Sequence, residues 1–273
     1  MTIQDIVVYV DNDKDCENRL ESATSLSKTF EARLSGLYLL QKISIPAYAG
    51  AYVPVEVFET NDEETEKLRD KAEAVFTAKA VSQKIDSQFQ AVEGDVASEL
   101  NRSSCYADLL IVPQRKNDRF DFNPYYQLSD VLLGAACPVL LLPDTKPPAL
   151  PPQTALLAWN GERECARALK AAMPMLSKVT KIDIVSINDQ GGENSDTKMI
   201  TDHINRHGIK TEVHYLQGSH FDNGKALLTQ ATELGSEMLI MGAYGHSRIR
   251  ELMLGGTTRH VLENTELPIL FSH

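Results

Sequence analysis

An α/β protein made of two copies of one pattern is what the 273-residue sequence predicts, and three observations carry that reading. Short apolar, β-branched runs alternate with longer amphipathic stretches, as expected of a parallel sheet covered by helices on both faces. The order βαβαβαβαβ occurs twice. Two strand motifs also recur at nearly one spacing: Leu109-Leu110-Ile111-Val112-Pro113 matches Met238-Leu239-Ile240-Met241-Gly242 at an offset of 129, and Cys137-Pro138-Val139-Leu140-Leu141 matches Leu267-Pro268-Ile269-Leu270-Phe271 at 130. Agreement within one residue points to an internal duplication.

In chain order, the apolar runs of the first half predict strands over Ile3–Val10, Leu34–Leu40, Ser87–Val92, Ala107–Pro113 and Pro138–Leu142. Those of the second predict Thr154–Trp159, Lys181–Ile187, Lys210–Leu216, Glu237–Gly242 and Pro268–Phe271. The stretches between them predict helices over Cys16–Glu31, Asp62–Gln83, Val96–Ser104 and Gln127–Ala136, then Glu162–Leu176, Ser195–His207, Lys225–Leu234 and Thr257–Asn264. The proline-rich run Pro143–Pro152 can continue neither a helix nor a central strand, so it reads as a spacer between domains at 1–146 and 153–273. The first half carries an extra apolar loop, Ile43–Phe58, with Pro46, Tyr48, Tyr52 and Pro54. It reads either as a lid or contact surface, or as an insertion packed on its own domain.

Hydrophobic residues make up 42% and charged residues 24%, which rules out disorder and collagen-like structure. A net charge of −11 argues against a sequence-independent grip on nucleic acid or an anionic membrane. The excess is uneven: residues 1–146 carry 15 basic and 24 acidic side chains and the remainder 12 and 14, so the second half is the better place for an anion. Cys16, Cys105, Cys137 and Cys165 show neither zinc spacing nor a disulfide framework, and read as buried thiols in a reducing cytosol. The first residues lack a basic region and no run approaches the roughly 18 apolar residues of a membrane span, so a cytoplasmic protein is expected.

The most informative stretch runs from Met241 to His260, starting where an apolar strand ends. Ligands of an open parallel sheet bind beyond the carboxyl ends of its strands, against helix N-termini whose free N–H groups favour anions. There Gly242 and Gly245 would let the backbone approach a ligand, Gly255 and Gly256 would make a second turn, and Thr257 and Thr258 would add hydroxyl donors at a helix start. The full spacing Gly-x2-Gly-x9-Gly, followed within two residues by Thr, resembles the universal stress protein (UspA) family in its tandem, two-domain form.

The resemblance covers essentially the whole chain. It implies two Rossmann-like domains, each a five-stranded parallel sheet flanked by helices, packed face to face as an internal pseudo-dimer that pairs through its last strands. It further implies a cytoplasmic, ATP-binding regulatory module of the bacterial stress response, with Mg accompanying the nucleotide, and pairing of whole chains into a homo-oligomer. In ATP-binding members the motif ends in Ser or Thr where this chain has Gly256, which removes one hydroxyl but keeps the backbone donor. The family's acidic residue at the end of the first strand is Asn160 here, beside Ala158; Ile187 falls where the family packs an apolar side chain against the base, and Met241, which opens the glycine-rich stretch, is counted with the cofactor-binding residues. The first half keeps Asp11 at its strand end but has Gln114-Arg115-Lys116 where Gly-x2-Gly would be, so its site is degenerate by this pattern.

All seven histidines lie in the second half. His246, inside the glycine loop, is a candidate phosphate contact; His203 and His207, one helical turn apart, lack a third metal ligand and read as a surface face. Arg248, Arg250 and Arg259 would offset the acidity around a phosphate. There is no P-loop, no nucleophile elbow and no Gly-x-Gly-x-x-Gly. No catalytic base stands out, so any ATP hydrolysis is expected to be slow. A scaffold or chaperone-like stress protein with an unknown protein partner is the alternative.

Overall fold

The computed structural model describes residues 2–40, 55–114, 128–143, 148–188, 195–217, 223–242 and 256–272. The first half reads β1 (Asp5–Val10), α1 (Cys16–Phe30), β2 (Arg33–Leu40), α2 (Val55–Gln83), β3 (Ser87–Glu93), α3 (Val96–Ser104), β4 (Leu109–Gln114), α4 (Leu128–Gly134) and β5 (Val139–Pro143). The second reads β6 (Thr154–Ala158), α5 (Arg163–Leu176), β7 (Lys181–Asn188), α6 (Ser195–Arg206), β8 (Lys210–Gln217), α7 (Asn223–Glu233), β9 (Leu239–Gly242), α8 (Gly256–Asn264) and β10 (Ile269–Ser272).

Each half forms a five-stranded parallel sheet in which the first strand lies centrally. The two sheets join into one, in the order β3-β2-β1-β4-β5-β10-β9-β6-β7-β8. The join is the antiparallel pair β5–β10, with Leu140 opposite Leu270 and Phe271 opposite Val139. The last strands therefore pair as expected, but the halves meet edge to edge rather than face to face. Both faces of each sheet are already covered by their own helices, and the unpaired backbone of the outer strands is what each half has left to satisfy. Gln114 adds a polar tie across this seam, described below.

Alternation along the strands sorts side chains onto two faces. Ile6, Val8 and Val10 of β1 pack with Leu20 and Leu26 of α1 and Phe76 of α2; Val7 and Tyr9 point the other way, into the layer that holds Leu100 of α3 and Val131 of α4. The second half repeats this, with Leu169 and Met175 of α5 and Ile204 of α6 on one face and Leu227 of α7 and Val261 of α8 on the other. Burial on both faces explains why the central strands read as continuous apolar runs.

With one exception, element ends fall within two residues of the sequence reading. The exception is the extra loop: α2 starts at Val55, so Val55–Phe58 belong to a helix, and residues 41–54 lie outside the described residues.

Candidate functional site

In the second half the chain passes from β6 to β7 and β8 on one side, then crosses to β9 and β10 on the other. The helices that follow β6 and β9, α5 and α8, lie on opposite faces of the sheet, and the crevice between the carboxyl ends of these two strands is where open α/β sheets bind ligands. Topology brings Ala158 at the end of β6, Asn160 just after it, Ile187 on β7, and Met241 and Gly242 on β9 to this one edge of the sheet. Ala158 and Ile187 are half-buried and Met241 is buried.

Asn160 is exposed; its Oδ1 accepts the N–H of Glu162 at 3.0 Å, an Asx-type turn that leads into α5. Its Nδ2 has no partner among the described residues. Gly242 lies against the first turn of α5 so closely that a Cβ there would stand 2.5 Å from the carbonyl carbon of Glu164 and 2.6 Å from the nitrogen of Cys165. Only glycine lets β9 pass, so this residue has a packing role beside any role toward a ligand. Cys165 sits between the two strand ends: burial pushes its thiol up, and the backbone N–H groups of Gly242 and Asn160 pull it partly down again.

Sequence reasoning missed Glu164. It is buried, in the first turn of α5, and its Oε1 lies 2.6 Å from Nε of Arg163, whose pKa it raises by hydrogen bonding. Its sign suits a helix N-terminus, and its position directly behind a strand-end turn was the available signal. A carboxylate here disfavours an anion at close range, which Arg163 counters.

α8 supplies the other expected group. Gly256 is its exposed first residue, Thr257 is half-buried and Thr258 is buried. The first-turn N–H groups of such a helix lack intrahelical acceptors. Gly245, His246, Gly255, Arg248 and Arg250 lie outside the described residues, as do Arg115 and Lys116. Arg259 is engaged along α8, its Nε donating to Glu263 Oε1 at 2.8 Å.

The matching mouth of the first half is built differently. Arg19 of α1 is buried, donates through Nε to the carbonyl of Tyr9 at 2.8 Å, and reaches Asp11 Oδ1 at 2.9 Å. Its guanidinium lies 5.8 Å from the centre of the buried Tyr9 ring. Asp11 and Asn160, Cys16 and Cys165, Arg19 and Ala168, and Tyr9 and Ala158 are each 149 residues apart, so the two mouths compare position by position.

His203 and His207 stack edge to face, ring centres 5.1 Å apart, on the surface of α6. Among the described residues, metal-like spacing brings together Asp183, Glu212 and His214 instead. The ammonium of Lys181 already lies 2.9 Å from Asp183 and 2.7 Å from Glu212, and both hydrogen bonds raise its pKa. His214 Nε2 completes the group at 2.7 Å from Asp183. The buried carboxylate is thus balanced by a cation of the chain itself. Among the described residues no helix is long and apolar enough to cross a membrane.

Comparison with known proteins agrees with this architecture. The sequence model of the universal stress protein family matches residues 162–273. Universal stress protein Slr1230 of Synechocystis sp. is 32% identical over 123 residues, which is 42% of this chain and 40% of that protein, so the match spans about two fifths of the relative's length. A universal stress protein from Archaeoglobus fulgidus superposes over 98% of this chain and 97% of its own, with a TM-score of 0.77 at 19% identity. A functionally unknown protein from Pseudomonas aeruginosa does so over 99% and 92%, with a TM-score of 0.60 at 13% identity. These likenesses establish the fold along the whole chain.

Proposed function

We propose that this chain, whose second half belongs to the universal stress protein family, is a regulatory protein that binds one adenine nucleotide in the crevice between β6 and β9. The observation that carries the reading is the contrast between the two mouths. Where the first half places Tyr9, Arg19 and Asp11, the second has Ala158, Ala168 and Asn160. Three substitutions remove a ring, a guanidinium and a carboxylate from one spot, and leave an uncharged amide with an open Nδ2 at the strand end.

In this reading the base lies against Ala158, Ile187 and Met241 and exchanges hydrogen bonds with Asn160. The phosphates meet the amides from Gly242 through Gly245 and His246 to Gly255, and the N-terminus of α8 at Gly256, Thr257 and Thr258. ATP suits this reading, since a triphosphate offers several oxygens to the N–H groups of a glycine-rich loop and of a helix N-terminus. The domains at 1–146 and 153–273 then divide the work, the first serving as the structural partner of the second.

The test is a calorimetric titration of the whole chain with Mg-ATP, read together with the fluorescence of Trp159, the single tryptophan, which adjoins Asn160. One site per chain with a change in Trp159 emission supports the reading. Two sites would show that the first mouth also opens, and no heat or emission change would hand the lead to a scaffold role.

A further inference from the structure

We propose that Gln114, at the end of β4 in the first half, is a positioning residue for the nucleotide site of the second half, acting through α8. This rests on the nucleotide reading given above. Gln114 is buried, and its Nε2 donates to the carbonyl of Leu262 at 2.8 Å and to that of Thr265 at 3.1 Å. Leu262 stands in the last turn of α8 and Thr265 immediately follows it. The final carbonyls of a helix have no intrahelical donor, and in a buried setting water cannot reach them freely. A side chain from the other half of the molecule, 148 and 151 residues away in sequence, therefore caps this helix.

α8 is nine residues long, about 13 Å, so it moves as one piece. Its described restraints are few. Val261 and Leu262 are buried in the core, and α7 approaches it so tightly that a Cβ on Gly224 would stand 2.7 Å from Cβ of His260 and 3.0 Å from the carbonyl oxygen of Thr257. Gln114 holds the remaining end. Its amide donors face the negative pole of the same helix whose positive pole would face phosphate. An anion at one pole and donors at the other polarise one row of hydrogen bonds in the same sense, so each strengthens the other. The degenerate half of the chain thus contributes to the site of the competent half across the β5–β10 seam.

The experiment compares ATP affinity of the whole chain in three forms: parent, Gln114→Met and Asp95→Ala. Methionine keeps the length of the side chain and removes both donors. Asp95→Ala removes an N-cap from α3, remote from α8, and controls for general loss of stability. The expected result is an ATP affinity on the order of ten-fold weaker in Gln114→Met and unchanged in Asp95→Ala.

A measurement on the parent alone covers the case in which Gln114→Met does not fold: ATP should slow hydrogen exchange of the amides of Val261, Leu262 and Thr265 as well as those of the first turn. Parent-like affinity in Gln114→Met, equal loss in Asp95→Ala, or protection confined to the first turn would overturn the proposal while leaving the nucleotide reading standing. A parent that binds no ATP would remove both.

Discussion

The first-half mouth spends a buried ion pair on closing itself, whereas the second-half mouth carries no charge at the same positions. In the first, Arg19 and Asp11 are paired beside the ring of Tyr9, with side chains only 3% and 10% exposed. Such a pair contributes little net stability because of the desolvation it requires, but removing one partner leaves a charge stranded. In the second, Asn160, Ala168 and Ala158 are uncharged and need no ionic partner from the protein. Two mouths on one backbone plan have therefore gone opposite ways, and the difference is concentrated in three side chains.

The largest effect expected from attacking this contrast comes from Arg19→Ala. It should cost about 3–5 kcal/mol in denaturant unfolding, and adding Asp11→Asn should restore at least half of that. Nucleotide stoichiometry in the double variant should stay at one, since Tyr9 still fills the place of Ala158; a second site would break the comparison. Gly242→Val should cost about 3 kcal/mol, because its new side chain meets the backbone of Glu164 and Cys165, so any loss of binding in that variant reflects packing before phosphate contact.

The matched thiols Cys16 and Cys165, both buried and both shifted upward chiefly by burial, offer a third comparison. At a concentration of about 100 times its Kd, ATP should slow alkylation of Cys165 by up to about a hundred-fold and leave Cys16 unchanged. Equal protection of the two, followed by mass spectrometry of the labelled peptides, would argue against a single site.

Smaller effects discriminate more finely. Asp95→Ala removes the acceptor for the N–H of Ser98 at 2.9 Å and should lower stability by about 1 kcal/mol. Gly256→Ala, where among the described residues no atom beyond its neighbours in the chain and its own helix lies within 4 Å of the added Cβ, should change thermal stability by less than about 1 kcal/mol. Weakened ATP binding with unchanged stability in that variant would place the ligand at the start of α8, while full affinity would move it away.

The strands were legible because burial on both faces leaves a continuous apolar run, and the duplication was legible because those runs recur at one spacing. Much of the candidate site was legible as a motif, but the reasons for its residues were not. Gly242 reads as a turn glycine, yet its closest neighbours belong to α5, nearly eighty residues earlier in the chain. Arg19 sits in an amphipathic helix where an arginine ordinarily faces water; nothing local announces that it folds back on Asp11. Gln114 reads as the first polar residue of a charged loop, and only the seam turns it into a cap. Two of these misses are contacts made at long range and the third is a side chain folding back over eight residues, and periodicity and spacing record neither. Val55–Phe58 is a different case: apolar residues beside prolines read as loop, although a proline also suits the residue just before a helix.

The antiparallel seam between β5 and β10 also changes what a substitution means. Were the halves separate, identical subunits, every residue change would appear on both sides of that seam, and a mouth could not be closed on one side without being closed on the other. Carried on a single chain, the two sides assemble at a ratio fixed by the peptide bond and insensitive to dilution, and each is free to change alone. Arg19 without a counterpart at position 168, and Gln114 reaching toward Leu262, are asymmetries that only a fused pair can keep.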